Sequence, residues 1–393
     1  MTHKLNAVFW QDDSITSSPG ANEVQRPLGH TRIFNLFMVC TADATFPPDI
    51  EHAVWVVRGN WRSTRGRFLR LAMLPMKLRR LGRLIRSEGI KIICAPISMP
   101  TLILAFMAQL LFGVKWIAHC WDHPYGIFAE ANDPLGRLIL WFRWSVDGWL
   151  LRRADLVVLN ILEEVLAPMH LRRDRVHAEK NGVLTAHLSR ISENVIPQPY
   201  LLGVVAYVAK TKRSDFALRA LAELRKMLPE AKLRLIGEVD ATYENEMLKM
   251  IRELDLDGAV EITGWHPYDT AMRLAAECSV LLYCYPDIPR LRWNYVLKIG
   301  EAYALGRPVV AVDLPGSRAL VRNAETGFLC DINSPADMAE KAMLILKGKE
   351  LWERMAANAL ETAEYLDWNA VCDRINVRIQ NDLSTWARCG NGK

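Results

Sequence analysis

The chain has 393 residues, of which 51% are hydrophobic and 24% charged, and it carries a formal net charge of +5. At roughly 150 residues per domain that length makes two or three domains, with apolar mass enough that no disulfide or metal is needed to hold a core together. Eight cysteines are scattered without a C-x-x-C pair, which excludes zinc ribbons and disulfide scaffolds and suits a reducing compartment.

The opening MTHKLNAVFWQDD lacks the cationic-then-apolar plan of a signal peptide, so the expected location is cytoplasmic. AVFW predicts a short first strand, RIFNLFMVC a second and HAVWVVRG a third, and Pro27 leaves little room for a long helix between the first two. Phe68 to Ser87 predicts a basic amphipathic helix that starts at the latest after Pro75. Residues 61–91 hold ten Lys and Arg against Glu88 alone, so the rest of the chain is net negative. From Ile92 to Val114 no residue is charged, a run long enough to cross a bilayer. Pro96 and Pro100 divide it better into a buried strand, IKIICAP, a helix over Thr101 to Phe112, and a strand, VKWIAHC. After HCWDHPYG come a long helix, LGRLILWFRWSVDGWLLRRA, a strand, ADLVVLN, a helix from near Leu162, a short strand near Val176 and the sequence KNGV.

IPQPY, Ile196 to Tyr200, reads as a stiff linker and places the domain boundary. Three regions are expected: 1–197, 198–368 and a final helix within 369–393. The second region alternates strands (LGVVAYV, AKLRLIG, AVEITG, SVLLYCY, RPVVAV, GFLCD) with helices of ten to fifteen residues, the last over Pro335 to Lys347. That alternation predicts α/β architecture, with a parallel sheet covered on both faces in each half.

In open parallel sheets ligands bind beyond the carboxyl ends of the strands. After LGVVAYV stand Lys210, Lys212 and Arg213, cations entering a helix, either a phosphate site or a solvated basic turn. After AVEIT stand Gly264 and Trp265, where a ligand could approach the backbone beside an aromatic ring, or the chain could simply turn. More specific is NYVLKIGEAYALGRPVVAVDLPGSRALVRNAETGFL, with Lys298 one turn before Glu301 and with Pro315-Gly316 after the next strand. A carboxylate at Glu301 could accept two ribose hydroxyls and Lys298 could reach a phosphate. In the first half His119, Asp122 and His123 stand at a strand end and are candidates for acid–base work on a bound hydroxyl; the alternative is a core histidine beside a loop histidine.

The ordered series of the Lys212 turn, ITGW, LLYCYP, K-x-x-E-A-Y-A-L-G-R-P-V-V-A, E-T-G-F-L and Y-L-D-W resembles the retaining GT-B glycosyltransferases of family 4 over about 170 residues. RRADLVVLN and KNGV extend the resemblance more loosely into the first half. The resemblance implies two facing Rossmann-like domains with a cleft between them and a C-terminal helix crossing back to the first. It implies diphosphate contacts from Lys212 and a basic residue near the next helix, here Arg213, a ribose contact from Glu301, a histidine (His119 or His123) at the transferred sugar, and catalysis without a metal or other cofactor. Consistently, the only D-x-D, Asp255 to Asp257, falls in a helix-end loop. The expected reaction moves a hexose from a UDP- or GDP-sugar to a lipid-linked saccharide in exopolysaccharide or cell-surface glycan synthesis. Trp293 stands where the family often has the first acid of an E-x7-E pair, and Tyr207 where an arginine is usual. A UDP-sugar 2-epimerase and an inactive scaffold of a polysaccharide-assembly complex are the alternatives.

The basic stretch 62–91 has three readings: a helix on anionic lipid, a solvated face packing its leucines inward, or a nucleic-acid patch. No nucleic-acid motif accompanies it, and the resemblance implies work on lipid-linked sugars at the cytoplasmic membrane face, so lipid is preferred, with the protein peripheral on the inner face of the plasma membrane.

Overall fold

A computed structural model of the chain describes residues 4–10, 22–40, 45–46, 48–59, 71–121 and 133–390. It divides into two compact units, residues 1–180 with 368–393, and residues 181–367. The boundary falls before the proline-rich segment because residues 181–197 already belong to the second unit: Val183 bridges Asp367, and a helix follows at Thr185–Ser192. IPQPY is not a linker, since a strand begins at Gln198, which already pairs with Cys278; Pro199 falls in the irregular stretch before the Leu202–Val280 pair, where a proline is tolerated.

The first unit is a seven-stranded parallel sheet with the order β3-β2-β1-β4-β5-β6-β7. Its strands are β1 (Leu5–Trp10), β2 (Phe34–Cys40), β3 (Trp55–Arg58), β4 (Ile92–Pro96), β5 (Lys115–Cys120), β6 (Leu156–Leu159) and β7 (Val176–Ala178). Central strands read as unbroken apolar runs because both faces are covered, and Ala7 to Trp10 and Leu156 to Leu159 are buried throughout. Helices are α1 (Asn22–His30), short and carrying Pro27, α2 (Pro48–Ala53), α3 (Leu74–Glu88), α4 (Met99–Phe112) and α5 (Pro134–Leu151). The uncharged run from Ile92 is thus strand, helix and strand, and no helix among the described residues is long and apolar enough to cross a membrane. The helix expected near Leu162 is a 3₁₀ segment, Glu163–Met169.

The second unit is a six-stranded parallel sheet, ordered β10-β9-β8-β11-β12-β13. Its strands are β8 (Gln198–Val205), β9 (Lys232–Ile236), β10 (Val260–Gly264), β11 (Cys278–Tyr283), β12 (Val309–Val312) and β13 (Gly327–Cys330). After α6 (Thr185–Ser192) the helices are α7 (Ser214–Met227), α8 (Glu244–Glu253), α9 (Tyr268–Ala276), α10 (Pro289–Arg292), α11 (Leu297–Ala304), α12 (Pro315–Arg318), α13 (Pro335–Lys347) and α14 (Lys349–Tyr365). The long α14 is absent from the reading of the sequence, where its polar face conceals a buried stripe of Met355, Ala359 and Ala363. One core joins Phe216, Leu221 and Leu224 of α7 to Val280, Val310, Met338 and Ile345.

The final helix, α15 (Trp368–Gly390), belongs to the first unit and packs on α1. Ionic pairs fix it there: Arg374 is bidentate to Glu179 at 2.8 and 3.0 Å, and Arg32 meets Asp373 at 2.6 Å. The buried Arg26 guanidinium donates to Asn160 Oδ1 at 2.7 Å and lies 5.6 Å from the Trp368 ring.

Phe216 is 2% exposed at the centre of the second core. Phe216→Ala is expected to cost the second unit about 3–5 kcal/mol, read as a lowered urea midpoint; a loss under about 1 kcal/mol would mean that this core is not assembled as described.

Candidate active site

In the second sheet the direction of the crossovers reverses once. From β8 the chain moves to β9 and β10 on one side, and then returns to β11, beside β8, before moving to β12 and β13 on the other. At such a reversal the segments leaving two adjacent strands part, and a crevice opens beyond their carboxyl ends. The donor candidates all follow strand ends: Lys212 and Arg213 after β8, Gly264 and Trp265 after β10, Lys298 and Glu301 after β11, Pro315 and Gly316 after β12.

Glu301 is the most constrained of them. It is 4% exposed, and it lies in α11, whose other buried residues Ile299, Ala302 and Tyr303 anchor the helix in the core. Its Oε2 stands 2.7 Å from Lys298 Nζ, one turn back on the same helix face. Its Oε1 accepts the Tyr268 hydroxyl at 3.0 Å. Burial, and then the Glu301 carboxylate, push the Tyr268 phenol well above its usual range, so the hydroxyl keeps its proton and donates. Lys298 Nζ also lies 5.6 Å from the Tyr268 ring centre, and the Lys298 carbonyl accepts the Tyr283 hydroxyl at 2.5 Å. A buried acid so held offers an acceptor of fixed direction to a ligand hydroxyl.

Lys212 stands over Tyr285 with its Nζ 5.3 Å from the ring centre, so residues following the adjacent strands β8 and β11 meet there. Burial pushes the Tyr285 phenol up to about 12. Arg213 takes a left-handed backbone (φ 55°) and turns into the fold: its Nη1 donates to the Ile332 carbonyl at 2.6 Å, and its guanidinium covers Phe216 at 4.3 Å. Gly264 has φ +76° with open space where a Cβ would stand, and Trp265 beside it is 70% exposed. Gly316 has a packing reason to be glycine, because a Cβ would lie 2.0 Å from the Asn294 carbonyl oxygen.

Of the two departures from the family pattern, Trp293 is half-buried with Arg292 5.5 Å over its ring, and Arg292 is paired with Asp287 at 2.5 Å. Tyr207 is exposed beside Asp240, to which its hydroxyl bonds. In the D-x-D, Asp255 has φ 53° just past α8 and Leu256 between the two acids is buried.

In the first unit Asp122 and His123 lie outside the described residues. His119 is 1% exposed, with its ring 5.2 Å from His30 and 5.8 Å from Phe9, so its place in this structure is interior. Donor atoms of His30, Cys94 and His119 lie within 4.8 Å of one another. Burial, helped by the Arg26 cation, depresses both imidazoles, His30 to about 3 and His119 well below its ordinary value. Sharing its enclosure with Arg26, the trio disfavours a second positive charge.

Tyr268, Tyr283 and Tyr285 contact the candidate residues Glu301, Lys298 and Lys212, and the sequence alone does not single them out. The signal was an aromatic opening a helix four residues after a strand-end glycine, but only folding brings Tyr268 to Glu301, 33 residues away.

Residues 189–362 match the family described as glycosyl transferases group 1, and residues 28–182 match the glycosyl transferase 4-like domain. The chain is 34% identical over 180 residues to the phosphatidyl-myo-inositol mannosyltransferase of Mycobacterium leprae, covering 46% of this chain and 45% of that one. It is 29% identical over 167 residues to a D-inositol 3-phosphate glycosyltransferase of a Nocardioides species, covering 40% and 36%. The match thus spans less than half the length of these two curated relatives. In three dimensions the chain is similar to Anabaena HepE, crystallised in complex with UDP, with a TM-score of 0.73 at 18% identity over 96% of this chain and 100% of that one. A sucrose-phosphate synthase from Thermosynechococcus elongatus gives 0.71 at 15% identity over 97% and 100%.

Lys298→Met leaves Glu301 buried without its cation and is expected to cost about 2 kcal/mol, below the usual figure for a buried pair because Lys298 is partly exposed. Glu301→Gln in the same chain should recover most of that loss; strictly additive single and double variants would show that the pair does not interact. His30 and His119 are neutral when folded and titrate near 6.5 when unfolded, so the stability they permit above that pH is lost as pH falls toward the folded value, about 3 for His30. The slope is up to about 1.4 kcal/mol per pH unit for each imidazole. Urea midpoints of the first unit should drop between neutral and mildly acidic pH, and His119→Phe should flatten the drop; parallel curves would refute the assignment.

Proposed function

Because this chain belongs to the GT4-type glycosyltransferases of the GT-B fold, we propose that it transfers a hexose from a UDP- or GDP-sugar to a lipid-linked saccharide, with retention at the anomeric carbon. The product belongs to an exopolysaccharide or another cell-surface glycan. The observation that carries this reading is the buried Glu301 carboxylate, held between Lys298 and Tyr268 at the mouth of the sheet reversal. Solved complexes of Anabaena HepE with UDP and with UDP-glucose, on the same fold, support a nucleotide sugar as donor. The name of the mycobacterial relative supports a lipid-linked acceptor.

In the proposed reaction Glu301 accepts the ribose hydroxyls of the donor. Lys298 and Lys212 lie against the diphosphate. The anomeric C–O bond breaks toward the β-phosphate oxygen, and the two ammonium groups balance the charge that develops there, so no metal is required. The acceptor hydroxyl attacks from the face the leaving group departs, and Asp122 or His123 takes its proton. Exclusion of water protects the intermediate charge and keeps hydrolysis slow. The enzyme works peripherally at the inner face of the plasma membrane, with residues 62–91 facing anionic lipid. Residues 62–70 of that stretch lie outside the described residues; in α3 Leu81 and Ile85 pack inward, so only its exposed Arg79, Arg83 and Arg86 are left to meet lipid.

A thermal-shift series with UDP- and GDP-hexoses identifies the donor, since a ligand at 100 times its Kd stabilises the folded chain by about 2.7 kcal/mol. Glu301→Gln should weaken that ligand about tenfold or more, with the circular dichroism unchanged. Equal stabilisation of Glu301→Gln and the parent would overturn the site. Conversion of a UDP-sugar without any acceptor would replace the transferase with a 2-epimerase.

A further inference from the structure

Helices of the first unit are not distributed at random. The connections through α1 and α2 step one way across the sheet, from β1 to β2 to β3, whereas those through α3, α4 and α5 step the other way, from β3 over to β4, β5 and β6. Right-handed crossovers then put α3, α4 and α5 together as one layer on one face. Contacts agree: α3 packs on α4 and α4 on α5, while α1 packs on α2 and α15.

The outward surface of that layer is apolar where a solvated helix would be polar. On α5, Leu135, Leu138, Trp141 and Phe142 are 66%, 59%, 65% and 53% exposed, and Ile139 and Trp149 are exposed too. On the adjacent α4, which has no charged residue between Met99 and Phe112, Leu110 and Leu111 are 66% and 55% exposed. Leu135, Leu138, Ile139 and Phe142 repeat at the three- and four-residue spacing of one helix face. Single exposed hydrophobics need no explanation, but eight on two neighbouring helices form the kind of patch that soluble surfaces avoid.

Cations surround it. Arg153 stacks 3.5 Å over Trp149, and Arg86 lies 5.5 Å over Phe112. Arg137 on α5 and Arg79 and Arg83 on α3 are exposed. The acids within the three helices are Glu88 and Asp147, and Asp147 is buried with its carboxylate 3.8 Å from Arg143. Pairing this face with a second copy of itself would oppose like charges, which argues against an isologous dimer. Tryptophan and leucine bordered by arginine, with little acid, complement an anionic lipid surface instead.

We propose that the outward face of α4 and α5 enters the headgroup region of an anionic bilayer, with Trp141, Phe142 and Leu138 inserted and the α3 arginines held against lipid phosphates at its margin. The proposal rests on the membrane partner in the proposed function, and it moves the inserted element from the basic stretch to α5. The protein lies on the membrane and does not span it.

The test is flotation of the whole chain with vesicles of phosphatidylcholine alone and of phosphatidylcholine with phosphatidylglycerol, at low and high salt. The chain should float with the anionic vesicles. Leu138→Glu/Phe142→Glu should lower that binding about tenfold or more at either salt concentration, whereas Arg79→Glu/Arg83→Glu should lower it mainly at low salt. All three proteins should keep the same thermal shift with the UDP- or GDP-hexose, so failure of the membrane surface is distinguishable from failure of the donor site. The proposal is overturned if the parent does not float, if the Leu138/Phe142 variant floats as well as the parent, or if light scattering shows a dimer that this variant alone dissociates.

Discussion

Right-handedness of the β-α-β crossover is the constraint from which most of this molecule follows. Each sheet reverses its direction of travel once, between β1 and β4 in the first unit and between β8 and β11 in the second. In the second unit the reversal separates the loops that leave adjacent strands, and the space between them is where Lys212, Lys298 and Glu301 come together around three tyrosines. In the first unit the same reversal assigns α3, α4 and α5 to one face and leaves the other to α1, α2 and α15. One geometric rule thus sets both the crevice proposed for the donor and the helical layer whose outer surface is apolar.

Within that frame the second unit uses a buried ion pair where hydrophobic packing would have been simpler. A carboxylate as enclosed as Glu301 is stabilised only while Lys298 and the Tyr268 hydroxyl remain in place. Such an arrangement gives little net stability and much direction: the carboxylate is fixed by the donors on either side of it. Arg213, by contrast, has the composition of a phosphate ligand and the contacts of a structural brace, with its hydrogen bond to Ile332 and its stacking on Phe216. Two adjacent cations in one turn therefore have different surroundings, Lys212 over Tyr285 and Arg213 turned into the fold.

Reading the sequence recovers strand after strand, because a strand buried on both faces must be a continuous apolar run and the helices between must show a 3.6-residue stripe. It fails where neither signal is clean. Gln198 to Tyr200 reads as a linker because prolines punctuate it, yet a proline is tolerated at an irregularity of a strand's ladder, as Pro199 is between the Gln198–Cys278 and Leu202–Val280 pairs. Lys349 to Tyr365 went unread because small buried residues, Ala359 and Ala363 among them, carry its inner face. Lys298 and Glu301 were visible as a pair one turn apart, whereas Tyr268, Tyr283 and Tyr285 were not, since tyrosine fits core and site equally well.

By itself the sequence determined the α/β class, the order of elements in the second unit and the residue types available at each strand end. Those properties are local: they depend on periodicity, on turn residues and on spacing along one helix. Only the tertiary structure decided that His119 is interior, that Arg213 is a brace, that Gly316 yields to the Asn294 carbonyl, and that leucines and tryptophans of α4 and α5 face outward. Each of those outcomes depends on which segments distant in the chain are packed together, and a residue's own type does not encode its neighbour across the fold.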